Sequence, residues 1–363
     1  MVQECYQKCC QGHRKMDRLH TLCKIAPEIA ELVERRHAVL QHVFMEQPIG
    51  RRSLASKLSW PERMVRKEIE FLRQAEFIKT ESAGMMVTAT GERVLSDLRG
   101  IMRALHDLPG LEKRLAQRLS LKKVVVVPGD ADRDETVKKE IARATADLLN
   151  EVLKEGDILA VTGGTTLAEV ANSLPAQEAR RDLWVVPARG GLGEEVELQA
   201  NSVAAQIAER LGGNYRLLHV PDDLGEEATL SIASDPKIRE LLECIRSAHV
   251  LLHGIGTAAD MAKRRGLSSE LQDHLKRRRA VGEALGYYFD ENGNIVHATT
   301  SVGLTLDDLK SIDVVIAVGG GQSKAQAALA VLSTGHQDIY ITDEGAARRM
   351  LELINETDEE VTV

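Results

Sequence analysis

The chain has 363 residues, 43% hydrophobic and 28% charged, the profile of an ordinary globular protein with room for two domains. No apolar run approaches the roughly 18–20 residues of a membrane span, and no signal-peptide pattern opens the sequence, so a cytoplasmic protein without membrane association is expected. The net charge of −8 is uneven: residues 1–100 carry 17 Lys+Arg against 13 Asp+Glu, and the remainder 30 against 42. A basic front on an acidic body points to nucleic acid, which the overall acidity would have argued against.

Residues 1–27 read as an N-terminal tail. Cys5, Cys9, Cys10 and Cys23 crowd there with His13 and His20, and the fifth cysteine, Cys244, stands apart. The spacings match no two-plus-two zinc arrangement, and adjacent Cys9 and Cys10 suit one tetrahedral ion poorly, so no metal is expected. Met16 opens a more helix-like stretch.

Residues 28–90 read as a winged helix-turn-helix DNA-binding domain. "EIAELVERRHAVLQHVFME" places Ile29, Leu32, Val33, Val39, Leu40 and Val43 near helical spacing, and Pro48 and Gly50 break it. "RRSLASKLSW" is a short second helix opening with Arg51, Arg52 and Ser53. "SWPERMVRKEIEFLRQAEF" is a third, and Ser59 with Glu62 has capping-box spacing around Pro61. On that helix Val65, Ile69 and Leu72 suit a core, while Arg63, Arg66, Lys67 and Arg73 project from another side. Two short strands around Ala83-Gly84 complete the order of a winged helix. Between Arg51 and Lys79 there are eight basic and four acidic residues, and each phosphate contact would make DNA binding salt-sensitive.

Residues 91–119 read as a helical linker interrupted at Pro109-Gly110. Residues 120–363 change texture: apolar runs at 123–128, 157–161, 183–188, 215–220, 249–255, 313–318 and 338–342 alternate with helical stretches. Continuous apolar strands separated by helices mean a mostly parallel sheet covered on both faces, a doubly wound α/β domain. In such sheets ligands collect beyond the carboxyl ends of the strands. The glycine-rich runs fall there: "VTGGTTLAEV" after 157–161, "ARGGLG" after 183–188, Gly256-Thr257 after 249–255, and "GGGQSK" after 313–318. Glycines bring backbone N–H groups close to an oxyanion, threonine hydroxyls add donors, and a helix N-terminus adds a favourable dipole. Neither G-x-x-x-x-G-K-[ST] nor G-x-G-x-x-G is present, which lowers nucleotide hydrolysis, hydride transfer and a nucleotide-binding regulator in rank. Arg189 and Lys324 on separate loops suggest a small ligand with two anionic ends. Arg264 and Arg265 are further partners, and Glu283 could accept hydrogen bonds from sugar hydroxyls.

The stretches "PIGRRSLASKL", "VTGGTTLAEV", "VPARGGLGEEVELQAN", "HGIG", "EALGYYF", "SVGLTLDDL", "VGGGQSKAQA" and "TDEGAARRML" together resemble the SorC-type sugar-binding transcriptional regulators that act on glycolytic genes, over about residues 25–355. The resemblance implies a repressor that binds double-stranded operator DNA as a homo-oligomer, dimer or tetramer, and uses no cofactor. It also implies an effector domain resembling glucosamine-6-phosphate deaminases that binds fructose-1,6-bisphosphate. One phosphate would meet Gly164, Thr165, Thr166 and the loop of Gly320, Gly321, Ser323 and Lys324. The other would meet Arg189, Gly191, Leu192 and Gly193, with Gln199 nearby. Glu283 and Arg264 would touch the effector, the Arg264-Arg265 doublet leaving the choice of arginine open. The alternative is a sugar-phosphate isomerase or deaminase with an appended DNA-binding domain, but no His/Asp pair in a recognisable motif stands beside the cradle loops to act as base, and no catalytic residue is assigned.

Overall fold

A computed structural model describes residues 24–176, 182–191, 195–221 and 225–362, the side chains of Glu226 and of 357–362 excepted. Of the expected features, the cysteine-rich stretch through Cys23, with His13 and His20, lies outside these residues, as do Leu192 and Gly193. The chain divides into two compact units between residues 110 and 111, inside the 91–119 stretch.

The first unit runs α1 (Pro27–Glu46), α2 (Arg51–Leu58), α3 (Glu62–Gln74), β1 (Ile78–Glu81), β2 (Gly84–Val87) and α4 (Ala89–Leu105). Its core is built from the helical spacing of the sequence: Val39, Leu40 and Val43 from α1, Leu54 from α2, and Val65 and Leu72 from α3. Leu95 of α4 joins the same cluster. The β1–β2 hairpin pairs Glu81 with Gly84 across a two-residue turn, and Ile49 adds an antiparallel bridge to Met85. The expected capping box does not form. Ser59 closes α2 in the left-handed conformation, its N–H turned back to the carbonyls of Ala55 and Ser56, so it cannot cap the next helix. Pro61 is itself the N-cap of α3 and makes no side-chain cap bond. The residue ahead of a proline is steered away from the helical region, which separates the two helices at this point.

Glu68 is the exception on the buried face of α3. It is 1% exposed; one carboxylate oxygen accepts from Arg36 Nε at 3.1 Å, and the other stands 3.1 Å from Arg35 Nε in an ion pair, both arginines on α1. Arg36 also lies over the Phe71 ring, 3.3 Å from its centroid. A buried carboxylate tolerates its desolvation only when paired in this way.

α5 (Leu108–Arg118) spans the division, and the second unit continues through β3 (Lys123–Val127), α6 (Glu135–Val152), β4 (Ile158–Val161), α7 (Thr165–Ser173), β5 (Trp184–Pro187), α8 (Ala200–Leu211) and β6 (Asn214–Tyr215). It goes on with α9 (Glu226–Ala233), α10 (Pro236–Arg246), β7 (Val250–Gly254), β8 (Gly256–Thr257), α11 (Ala258–Arg264), α12 (Ser269–Arg277), β9 (Ala280–Ala284), β10 (Tyr287–Asp290) and β11 (Ile295–Ala298). β12 (Val314–Val318), α13 (Ala325–Leu332), β13 (Ile339–Asp343) and α14 (Glu344–Thr362) complete it. Seven strands form one sheet in the order β3-β13-β12-β7-β4-β5-β6, and every pairing in it is parallel. All seven expected strands are present, but the run at 215–220 forms a ladder only over Asn214–Tyr215. Beyond Tyr215 the backbone is irregular, although Leu218 and Val220 stay buried.

Both sheet faces are covered, which is why the strands read as continuous apolar runs. Leu159 and Val161 pack with Ile141, Val170 and Ile207 on one side. Ala160, between them, packs with Leu242 and Ile245 on the other. A second sheet, in the order β11-β10-β9-β8 and antiparallel throughout, was not anticipated from the sequence.

Asp343 ties the strand ends together. It is fully buried, and its carboxylate accepts N–H bonds from Ala131 at 2.9 Å, Gly321 at 2.6 Å and Ala346 at 2.7 Å. Burial raises its carboxyl above the ordinary range, Asp130 adds to this, and the three amides work against it.

Because Leu72 is 2% exposed in the core of the first unit, Leu72→Ala should cost about 2–5 kcal/mol in that unit. Chemical denaturation followed by DNA binding checks this. Ligand binding by the second unit should be unchanged.

Candidate effector and DNA sites

The chain order of the large sheet reverses between β4 and β7: β5 and β6 lie outward of β4 on one side, and β7, β12 and β13 on the other. Loops that leave the carboxyl ends of strands on either side of such a reversal diverge and leave a crevice. The cavity is there. It measures about 530 Å³ and is lined by the loop after β4, the loop after β7, and residues from 189, 199, 264, 283 and 324.

Of the expected effector residues, Gly164, Thr165, Thr166, Arg189, Gln199, Arg264, Glu283 and Lys324 come together on its wall. Thr165 and Thr166 open α7, whose N-cap, Gly164, makes no side-chain cap bond. Gln199 is likewise the N-cap of α8 and makes no side-chain cap bond to that helix, and Ala200 follows it on the wall. Two helix N-termini without side-chain caps therefore border one cavity and offer partial positive charge to an anion.

The described lining carries Arg189, Lys263, Arg264, Arg265 and Lys324 against Asp260 and Glu283. Burial, with Lys138 and Arg264 nearby, holds the Lys324 ammonium below the usual lysine range, against the pull of Asp132 and Asp260. An anion placed beside it would favour the protonated form. His253, one residue before Gly254, is fully buried, and burial pushes it down to about 4, so it adds no charge at neutral pH.

Arg189 is 6% exposed. Its Nε donates to Ser301 Oγ at 3.1 Å and its Nη2 to Thr299 Oγ1 at 3.0 Å. Thr299 in turn donates its N–H and its hydroxyl to the carbonyl of Gly286, at 2.9 and 3.2 Å. Gly286 has φ +80°, and a Cβ there would fall onto the Arg189 guanidinium. Only glycine lets the β9–β10 turn lie against that side chain. Thr299, Ser301 and Gly286 were not singled out from the sequence. The run "HATTSVG" carries the hydroxyls, but nothing local shows that it lies against Arg189.

Four of the expected effector residues are not brought onto this wall. Gly191 does not line the cavity, and its N–H donates to Val220 O at 2.9 Å. Gly320, Gly321 and Ser323 also stand off the wall. The Gly321 amide goes to Asp343. Ser323 gives its N–H to Asp132 Oδ2 at 2.7 Å and its hydroxyl to Asp132 Oδ1 at 3.0 Å. Between them, Gln322 N–H points to Asp130 Oδ1 at 3.3 Å. Carboxylates of this chain already accept the amides of Gly321, Gln322 and Ser323, and of the Gly320–Lys324 loop only Lys324 lines the cavity. The Arg264-Arg265 doublet also divides: Arg265 pairs with Glu283 at 3.0 Å, both side chains 5% exposed, whereas Arg264 is exposed.

In the first unit, the seven expected DNA-binding residues Arg51, Arg52, Ser53, Arg63, Arg66, Lys67 and Arg73 are exposed. Arg63, Arg66 and Lys67 share a shallow surface of α3 with Met64, Glu70, Phe71 and Gln74. Arg51 pairs with Glu62 at 2.9 Å, and Arg73 with Glu70 at 2.8 Å. Exposed pairs of this kind contribute at most about 1 kcal/mol, so both arginines can exchange a carboxylate for a DNA phosphate.

A helical DNA-reading unit joined to an α/β domain with a cation-lined cavity at its switch point defines a sugar-binding transcriptional regulator. The family model of a putative sugar-binding domain matches residues 104–352, and that of the CggR N-terminal DNA binding domain matches residues 32–102. The chain is 44% identical to the central glycolytic genes regulator of Priestia megaterium, over 92% of this chain and 97% of that protein. It is 42% identical to the protein of the same name from Bacillus subtilis, over 90% and 96%. The crystal structure of a putative SorC family transcriptional regulator from Enterococcus faecalis aligns with a TM-score of 0.63 at 40% identity, covering 67% of this chain and 99% of that one. The chain belongs to the central glycolytic genes regulator family of SorC-type sugar-binding transcriptional regulators. It is a sugar-responsive, DNA-binding regulator and not an enzyme. Among the described residues no helix is long and apolar enough to cross a membrane.

Gly286→Ala should displace the Arg189 guanidinium and add backbone strain of about 1–3 kcal/mol. Calorimetric titration with phosphorylated sugars should then show a loss of affinity out of proportion to the modest loss of stability.

Proposed function

We propose that the protein represses glycolytic genes from double-stranded operator DNA in the cytoplasm, as a homo-oligomer, dimer or tetramer, and that fructose-1,6-bisphosphate is its effector, with no cofactor. The observation that carries this reading is the placement of the cations. Lys324 and Arg264 influence each other electrostatically, whereas Arg189 stands on a different loop, buried and held by hydroxyls. Two separate cationic positions on the wall of one cavity of about 530 Å³ suit a compact ligand with a phosphate at each end. The names of the relatives and their extensive identity support the target genes.

The ligand geometry is tested with two variants and two ligands. Arg189→Ala should weaken fructose-1,6-bisphosphate by about 3–5 kcal/mol, the usual cost of removing one partner from a buried ionic contact. Fructose-6-phosphate, held only at the Thr165/Lys324 end, should lose little. Thr166→Glu puts a carboxylate at the opening of α7 and should block both ligands. Equal losses of both ligands in Arg189→Ala would point to one shared anion site and against a bisphosphate.

For DNA, Lys67→Ala or Arg66→Ala should weaken operator binding and leave effector binding intact. A lost phosphate contact lowers affinity on all sequences and reduces the salt slope by about one, and a lost base contact costs about 1–3 kcal/mol and relaxes specificity. Binding isotherms at several salt concentrations distinguish the two. Unchanged affinity in both variants would remove α3 from the DNA interface.

A further inference from the structure

We infer that Arg265 is a positioning residue that fixes Glu283 as the selector for a hydroxyl-bearing effector, and that Arg265 does not itself bind phosphate. The inference rests on the proposed sugar-bisphosphate site and assigns one part of it. Both residues are on the cavity wall, yet their side chains are each only 5% exposed. Arg265 Nη2 donates to Glu283 Oε1 at 3.0 Å, and the Gly286 N–H donates to the same oxygen at 2.6 Å. Neither of these bonds uses Oε2. That oxygen lies on the β8 side, 3.9 Å from where a Cβ at Gly256 would stand, and Gly256 is also on the wall.

A carboxylate is an acceptor only. Where a ligand must be gripped by its negative ends, a buried carboxylate in the same wall repels any anionic centre between them and accepts hydrogen bonds from hydroxyls. A site built to hydrogen-bond a hydroxyl discriminates strongly against an analogue that lacks it. The carboxylate can serve this way only if it is held immobile, and a carboxylate in a largely desolvated place requires a paired cation. Arg265 supplies that cation. The Gly286 amide supplies the second restraint, from the residue whose α-carbon lies against Arg189. One turn thus sets both the acceptor for hydroxyls and the cation for one phosphate.

The test compares fructose-1,6-bisphosphate with hexane-1,6-diol bisphosphate, which has two phosphates and no free hydroxyls, by calorimetric titration of the full-length protein. Arg265→Met should lose about ten- to a hundredfold in affinity for the sugar bisphosphate, the range of a hydrogen bond to a charged group. It should bind the diol bisphosphate nearly as wild type does. Glu283→Gln should show the same split, and Arg265→Lys, which keeps the charge, should recover part of the loss. Equal loss of both ligands in Arg265→Met, or no loss of either, overturns the assignment. Should Arg265→Met fail to fold, Arg265→Lys and Glu283→Gln still decide it: an Arg265→Lys protein that loses both ligands equally, or a Glu283→Gln protein that keeps its preference for the sugar, overturns it. If wild type binds no sugar bisphosphate at all, the proposed effector itself fails, a different outcome from a wild type that binds and an Arg265 variant that behaves like it.

Discussion

Every pairing in the seven-stranded sheet is parallel, and that constraint governs the rest of the second unit. Parallel strands send all their carboxyl ends to one edge of the sheet, so the loops after β3, β4, β5, β7, β12 and β13 must share one region. Their backbone N–H groups arrive there unpaired by the ladder and need acceptors. Asp343 satisfies three of them from three different segments, and Asp130 and Asp132 satisfy others. The loops after β4 and β7 lie on either side of the reversal in strand order and enclose the cavity. Closing one loop group with internal carboxylates while leaving α7 and α8 without side-chain caps concentrates the available positive potential in one place.

The sequence was most informative where one physical cause dominates. The strands of the parallel sheet are buried on both faces, so each reads as an apolar run regardless of its neighbours, and all seven were legible. The antiparallel sheet was not. β9 includes Gly282 and Glu283, β11 includes His297, and β8 is two residues long, so neither alternation nor hydrophobicity marks them. Asn292-Gly293, between β10 and β11, was an available turn signal. The glycine-rich loops marked strand ends correctly, but glycine content cannot report what a loop's amides bond to. Long-range partners such as Asp132, nearly two hundred residues from Ser323, decide that. The same limit applies to Arg264 and Arg265, which are adjacent in sequence and take different environments at the end of α11.

In the DNA-binding unit the helical period separated Val65 and Leu72 from the exposed basic residues; it also puts Glu68 on their face, where a carboxylate is not expected from its residue type. Glu68 is buried because α1 brings two arginines to it. Removing one partner of such a contact is far more damaging than its net contribution suggests, because a desolvated charge is left behind. The interaction therefore fixes the seating of α3 on α1, and with it the direction in which Arg63, Arg66 and Lys67 are presented.

The borders of the large sheet bear on solubility. An outer parallel strand carries a row of backbone groups that invites pairing with another chain. At one border β6 provides only two residues of ladder, too little for a foreign strand to register upon. At the other, β3 begins at a lysine, and Glu112 of α5 accepts the N–H of Val126 at 2.7 Å. A side chain of the same molecule thus occupies a donor that would otherwise template a cross-β contact. Both borders of the sheet are thereby guarded against edge-to-edge aggregation by the chain itself, without help from a ligand.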